Sequence, residues 1–157
     1  MKKPIIIIAF FVLSLSSFAQ TASTTNSQAS EKALLGMLGG FSAAYLLNTF
    51  ELIDGFTTQH RNKLETDDLI TRKLKAQKNI IGVITKQVDE TISTNALREE
   101  ADKTFVESLQ PILSGLQKQL DLYMDYMSTG SSAKKTEYDT VRREGKTKLN
   151  TLLGIED

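Results

Sequence analysis

Apolar residues recur at intervals of three and four over most of the chain, and the polar breaks between these runs are short. Ile70, Leu74, Ile81, Ile84 and Val88 fall on one stripe of a helix, with Gln77 filling its one polar slot. Phe105, Leu109, Ile112, Leu116, Leu120, Tyr123 and Met127 make a second stripe, and Tyr138, Val141, Gly145, Leu149 and Leu152 a third. Ahead of them Leu34, Leu38, Phe41, Tyr45, Leu52 and Phe56 recur at spacings of three, four and seven. They predict a first helix from about Glu31 to about Arg61, capped by Ser30.

The breaks are chemically marked. Thr66 is the expected cap of the second helix, with Asp67 and Asp68 in its first turn, where carboxylates favour the positive end of the helix dipole. "ISTN", 92–95, interrupts the pattern, and Asn95 is the expected cap of the third helix, ahead of Glu99 and Glu100. "STGSS", 128–132, is the clearest turn: Gly130 ends one helix and Ser131 or Ser132 starts the next. Pro111 lies inside the third helix, but the apolar stripe keeps its phase across it. At about 100° per residue the proline falls on the outer face, which predicts a continuous helix rather than two. No segment alternates apolar and polar residues over a convincing length, so strands find little support. Four long helices with short connections predict an all-α, up-down-up-down four-helix bundle as one domain over residues 31–157.

The first residues change the picture of where this domain works. Lys2 and Lys3, the apolar run "IIIIAFFVLSL" and the small residues of "SSFAQ" have the three-part layout of a cleavable signal peptide, residues 1–19. The apolar run is short against the ~20 residues that cross a bilayer. Residues 20–30, "QTASTTNSQAS", are polar, small and aperiodic, and read as a flexible tether. The expected destination is export to the periplasm or the exterior.

Composition narrows the chemistry. The 157 residues contain no cysteine, so an exported chain must hold its fold by packing alone, without disulfides, thiolate metal sites or a cysteine nucleophile. Nineteen basic and nineteen acidic residues balance to a formal net charge of zero, which offers no electrostatic footprint for nucleic acid. His60 is the one histidine; near the end of the first helix it suits the helix dipole. No Glu-x-x-His or His-x-x-x-His spacing, phosphate loop, nucleotide fingerprint or serine elbow occurs. Asp121 and Asp125, four apart, and the basic clusters 72–78 and 142–148 read as solvated surface. The expectation is a non-enzymatic protein with no catalytic residue, cofactor, metal or small-molecule substrate.

One stretch remains unaccounted for. "ALLGMLGGFSAAYLLNTF", 33–50, carries no charge. A helical wheel gives it two uncharged faces: a bulky one with Leu34, Leu38, Phe41 and Tyr45, and a small one with Gly36, Gly40 and Ala44. A bundle helix buries one face, so the small face points either to close packing within the chain or to contact with a partner. Contact with a membrane, by insertion or by lying on lipid, is the alternative and is disfavoured. The glycines, Ser42, Asn48 and Thr49 make the stretch less apolar than the leader. The cluster Tyr123, Tyr126 and Met127 is the second candidate contact surface, and its positions also suit closure of the bundle end. The sequence therefore predicts an exported helical-bundle protein that acts through protein–protein contact or self-association.

Overall fold

The computed structural model describes residues 24–155, with side chains from Lys32 onward. The expected signal peptide and residues 20–23 of the expected tether lie outside the described residues. The chain divides into two units, Met1–Gly36 and Met37–Asp157. The elements are α1 (Thr24–Arg61), α2 (Asp67–Ser93), α3 (Glu100–Thr129) and α4 (Ser132–Leu153). Among the described residues there is no strand. The fold class is all-α, and residues of the second unit form a helical bundle.

Three helix ends follow the predicted chemistry. Thr66 Oγ1 accepts a hydrogen bond from the Leu69 amide at 3.4 Å and so caps α2. Gly130 ends α3 at φ 68°, a left-handed conformation that costs a residue with a Cβ about 1 kcal/mol or more. Its amide donates to Tyr126 O at 2.8 Å. Ser131 then caps α4, its hydroxyl accepting from the Lys134 amide at 3.4 Å. Pro111 is exposed inside an unbroken α3, as its position on the wheel requires.

Two boundaries differ from expectation. Helix α1 begins at Thr24, so residues 24–30 are helical where a tether was expected, and Ser30 lies inside the helix. These residues include no glycine or proline, and extending an existing helix is far cheaper than nucleating one. Asn95 does not cap α3. It closes α2 instead, at φ 49° with its amide donating to Ile92 O at 3.1 Å. Asparagine tolerates the left-handed region that such a closing turn needs. α3 starts five residues later, with Glu99 at its cap position making no side-chain cap bond.

The core is made by the predicted stripes of the last three helices. Ile70, Leu74, Gln77, Ile81 and Val88 are buried on α2. Leu109, Ile112, Leu116, Leu120 and Tyr123 are buried on α3, joined by Leu113, Gln119 and Leu122, and Tyr138, Val141 and Leu149 on α4. Gly145 faces α1: a Cβ there would lie 3.9 Å from Phe50 Cε2, an ordinary contact distance.

Helix α1 departs from its predicted stripe. Leu34, Leu38, Phe41 and Leu52 are exposed, while Leu46, Thr49, Phe50, Ile53 and Thr57 are buried. Of the expected seam, Tyr45 and Phe56 are half-buried against the core, so the helix is rotated from the predicted phase without reversing it. An uncharged stretch gives no polar face to set its phase, and two threonines disguise the real stripe. Its phase predicts that Ile53→Ala costs about 2–5 kcal/mol in urea unfolding and Leu52→Ala less than about 1 kcal/mol. The sequence stripe predicts the opposite order.

Candidate functional site

The rotation of α1 is fixed by polar contacts along its buried edge. Thr57 is the hub. Its hydroxyl donates to Asp54 O at 3.0 Å and accepts from Tyr138 Oη of α4 at 3.2 Å, while its carbonyl accepts from Tyr123 Oη of α3 at 3.0 Å. One turn earlier Asp54 takes a two-pronged pair from the Arg142 guanidinium of α4. That hydrogen bond, reinforced by the Asp54 charge, raises the Arg142 pKa further against the opposing effect of burial. Two turns earlier Gln77 of α2 donates to Thr49 Oγ1 at 3.4 Å. Phe50 and Ile53 are buried between these contacts.

With that edge inward, the remaining faces of residues 37–44 stay uncovered. Met37 is 58% exposed, Leu38 59% and Phe41 66%. Gly40 and Ala44 are exposed, and a Cβ on Gly40 would meet nothing within 4 Å. Gly36 is likewise exposed with nothing within that distance. Among the described residues nothing packs closely against Gly40. Gly39 is the glycine of the stretch that meets another helix: a Cβ there would lie 3.7 Å from the ring of Phe105. Of the predicted faces, Leu38 and Phe41 of the bulky one and Gly40 and Ala44 of the small one are open and form an uncharged patch, while Tyr45 is half-buried against the core.

The second candidate surface separates into parts. Tyr123 is 0% exposed and belongs to the core, which removes it from direct contact with a partner. Its ring packs against Tyr138 at 4.8 Å and Tyr126 at 5.7 Å between centroids. Tyr126 and Met127 are half-buried and packed against the core. Burial disfavours the phenolate and pushes the Tyr123 pKa up to about 12, with the nearby Arg61 acting in the other direction. The Tyr138 pKa is raised by burial too.

Several of the candidate carboxylates stand in ion pairs. Asp121 pairs with Lys78, and Asp125 lies 4.0 Å from Lys134. Asp67, Asp68 and Asp125 line a shallow cleft with Lys75, Met124 and Met127. Asp68 there pairs with Arg72 at 3.0 Å, and Asp67 lies 3.3 Å from His60 Nε2. Among the described residues no three His, Cys, Asp or Glu side chains stand together as a metal site. His60 itself is half-buried, with Nδ1 2.9 Å from Tyr123 Oη. That contact spans 63 positions of sequence and left no trace in local spacing. The buried edge of α1 did leave one. Glu51 is exposed and lies about 200° round the helix from Ile53, so the face opposite this charge is the buried one.

Compared with known proteins, the chain matches no family model, no curated protein and no solved structure.

The tyrosine shifts carry a pH prediction. Unfolded, Tyr123 loses its proton near about 10; folded, it keeps it until about 12. Its contribution to stability is therefore complete below about pH 10 and is lost as pH rises through about 12. Urea unfolding should show this decline, of up to about 3 kcal/mol, and Tyr123→Phe should flatten it while leaving the part due to Tyr138.

Proposed function

We propose that this chain is an exported, non-enzymatic protein of the cell envelope that works by binding protein, a second copy or another chain, through residues 37–44 of α1. The observation that carries this reading is the exposure of Met37, Leu38 and Phe41 beside the open Gly40 and Ala44. Clustered apolar side chains left in water favour association, at roughly 25 cal/mol per Å² covered. Small residues four apart let a second backbone approach closely. The leader-like first residues supply the export part of the reading. The up-down-up-down arrangement is supported by two contacts along the bundle: the Gly39 position lies beside Phe105 near the start of α3, and Thr57 bonds Tyr123 near its end.

Membrane contact is the second reading. Lys32–Arg61 is long and apolar enough to cross a bilayer, and 17% of its most apolar window is buried. Its length counts against a span, because Leu46, Thr49 and Phe50 are held in the protein core. The uncharged run ahead of them, residues 33–45, covers about 20 Å as a helix, short of the ~30 Å hydrocarbon layer.

Photo-crosslinking in the native envelope separates these readings. A photoreactive phenylalanine analogue at Phe41 should give protein adducts, and the same group at the exposed Lys86 of α2 should give none. Absence of adducts at Phe41, together with flotation of the purified protein on liposomes, would replace protein contact with lipid contact.

A further inference from the structure

Helix α2 carries an exposed apolar strip of its own. Residues 79–85 hold no charge, and Ile80 is 48% and Val83 60% exposed. Counting about 100° per residue from the buried Ile81, Ile80 lies within about 20° of Lys73 on the helix wheel. Lys73 reaches α1 through Gln59 at 3.4 Å and the ring of Phe56, and Gln77 reaches Thr49. The strip therefore lies on the flank of α2 that adjoins α1. In the up-down-up-down arrangement proposed above, Ile80 and Val83 stand beside the part of α1 between Phe41 and Thr49. On α1 the exposed Phe41 and Leu52 turn to the same side as the half-buried Tyr45 and Phe56, within about 60° of one another. The exposed side chains of the two helices make one uncharged face, with Leu38 and Phe41 at one end and Leu52 at the other.

The charges that bound this face suit pairing with itself. Arg72 and Glu90 lie nine residues before and after Ile81, about two and a half turns each way, so both stand on the side directly opposite that buried residue. Both are exposed, and within the chain Arg72 pairs with Asp68 and Glu90 with Lys86. We propose that two copies of this chain pair through the α1–α2 face, with α2 antiparallel to its mate and centred near Ile81, so that Arg72 of each copy meets Glu90 of the other. In a two-fold contact position i meets j and j meets i, so both charge pairs form together. A parallel arrangement would instead set each charge level with its own kind. Lys75 and Lys86 fall toward the side of α2 whose Lys78 and Asp89 reach α3, and Glu51 toward the side of α1 whose Asp54 reaches α4, so all three lie outside the face. Arg72 to Glu90 covers about 27 Å of helix. Two helices about 9 Å apart present a face roughly 20 Å wide, so the pair covers on the order of 1,000 Å² in total, the size of a reversible contact rather than a permanent one. This inference rests on the contact reading above and names its partner.

The test is sedimentation of the purified full chain over about 1–100 μM, the affinity range of reversible contacts. A monomer–dimer equilibrium is expected. Val83→Asp should weaken it at least about tenfold, because it sets a charge in the centre of the face. Arg72→Glu and Glu90→Arg should each weaken it about fivefold, the size of two exposed pairs. The double variant Arg72→Glu/Glu90→Arg should recover wild-type association. All three positions are exposed, so the fold is expected to survive, which far-UV circular dichroism checks. A chain that stays monomeric throughout, an association indifferent to Val83→Asp, or a double variant no tighter than the single ones overturns the proposal. Should Val83→Asp fail to fold, the charge exchange decides by the same criterion. A monomer in solution whose Phe41 crosslinks to a different protein ends the self-pairing and keeps the contact reading, whereas a monomer without protein adducts removes both.

Discussion

The hydroxyls of Thr57, Tyr123 and Tyr138 decide which way α1 faces. Tyr123 and Tyr138 sit on different helices, yet both hydroxyls converge on Thr57, one on its carbonyl and one on its side chain. A buried hydroxyl without a partner costs about 1–3 kcal/mol, so turning α1 by one residue would strand two phenols in an apolar core. The Arg142 pair on Asp54 and the Gln77 bond to Thr49 repeat the constraint along the same edge. Apolar burial supplies most of the driving force for bringing α1 into the bundle. It discriminates poorly among faces that are all apolar, and the polar contacts make the choice.

The consequence reaches residues that touch none of these groups. Fixing Thr57, Ile53 and Phe50 inward places Phe41, Leu38 and Met37 outward, because one continuous helix transmits its phase along its length. The same geometry that satisfies the core leaves an uncharged patch in water. A lone exposed leucine needs no explanation, but three large apolar side chains and two small residues within eight positions do. The contact function rests on that distinction.

How much of this was legible in the sequence follows from where the charges are. α2, α3 and α4 carry charged residues opposite their apolar stripes, and there the spacing identifies most buried positions, Gln77 among them, and the outward Pro111, but not Leu113, Gln119 and Leu122 of α3. Their caps could be read because a threonine, a glycine and a serine each had one suitable use. In α1 the spacing of large residues points to Leu34, Leu38, Phe41, Tyr45, Leu52 and Phe56, of which Tyr45 and Phe56 are half-buried against the core and the other four lie in water. Hydrophobicity ranks residues but does not orient a helix that lacks a polar face. Tyr123 was assigned both to the seam and to a contact surface, and its burial settles it in the seam. Asn95 misled because asparagine serves equally at the start of a helix and in a left-handed closing turn. The pairing of His60 with Tyr123 joins positions 63 apart that no local pattern connects.

The rotation of α1 can be measured directly, since the chain has no cysteine of its own. Single substitutions Leu38→Cys, Phe41→Cys, Leu46→Cys and Ile53→Cys, each in dilute purified protein, give thiols whose labelling rates report their access to water. The account predicts rates near those of a free thiol at 38 and 41 and rates at least about a hundredfold slower at 46 and 53, where labelling must wait for rare opening of the core. Slow labelling at 38 and 41 with fast labelling at 46 and 53 would mean that α1 faces the other way, and the patch on which the function rests would be core.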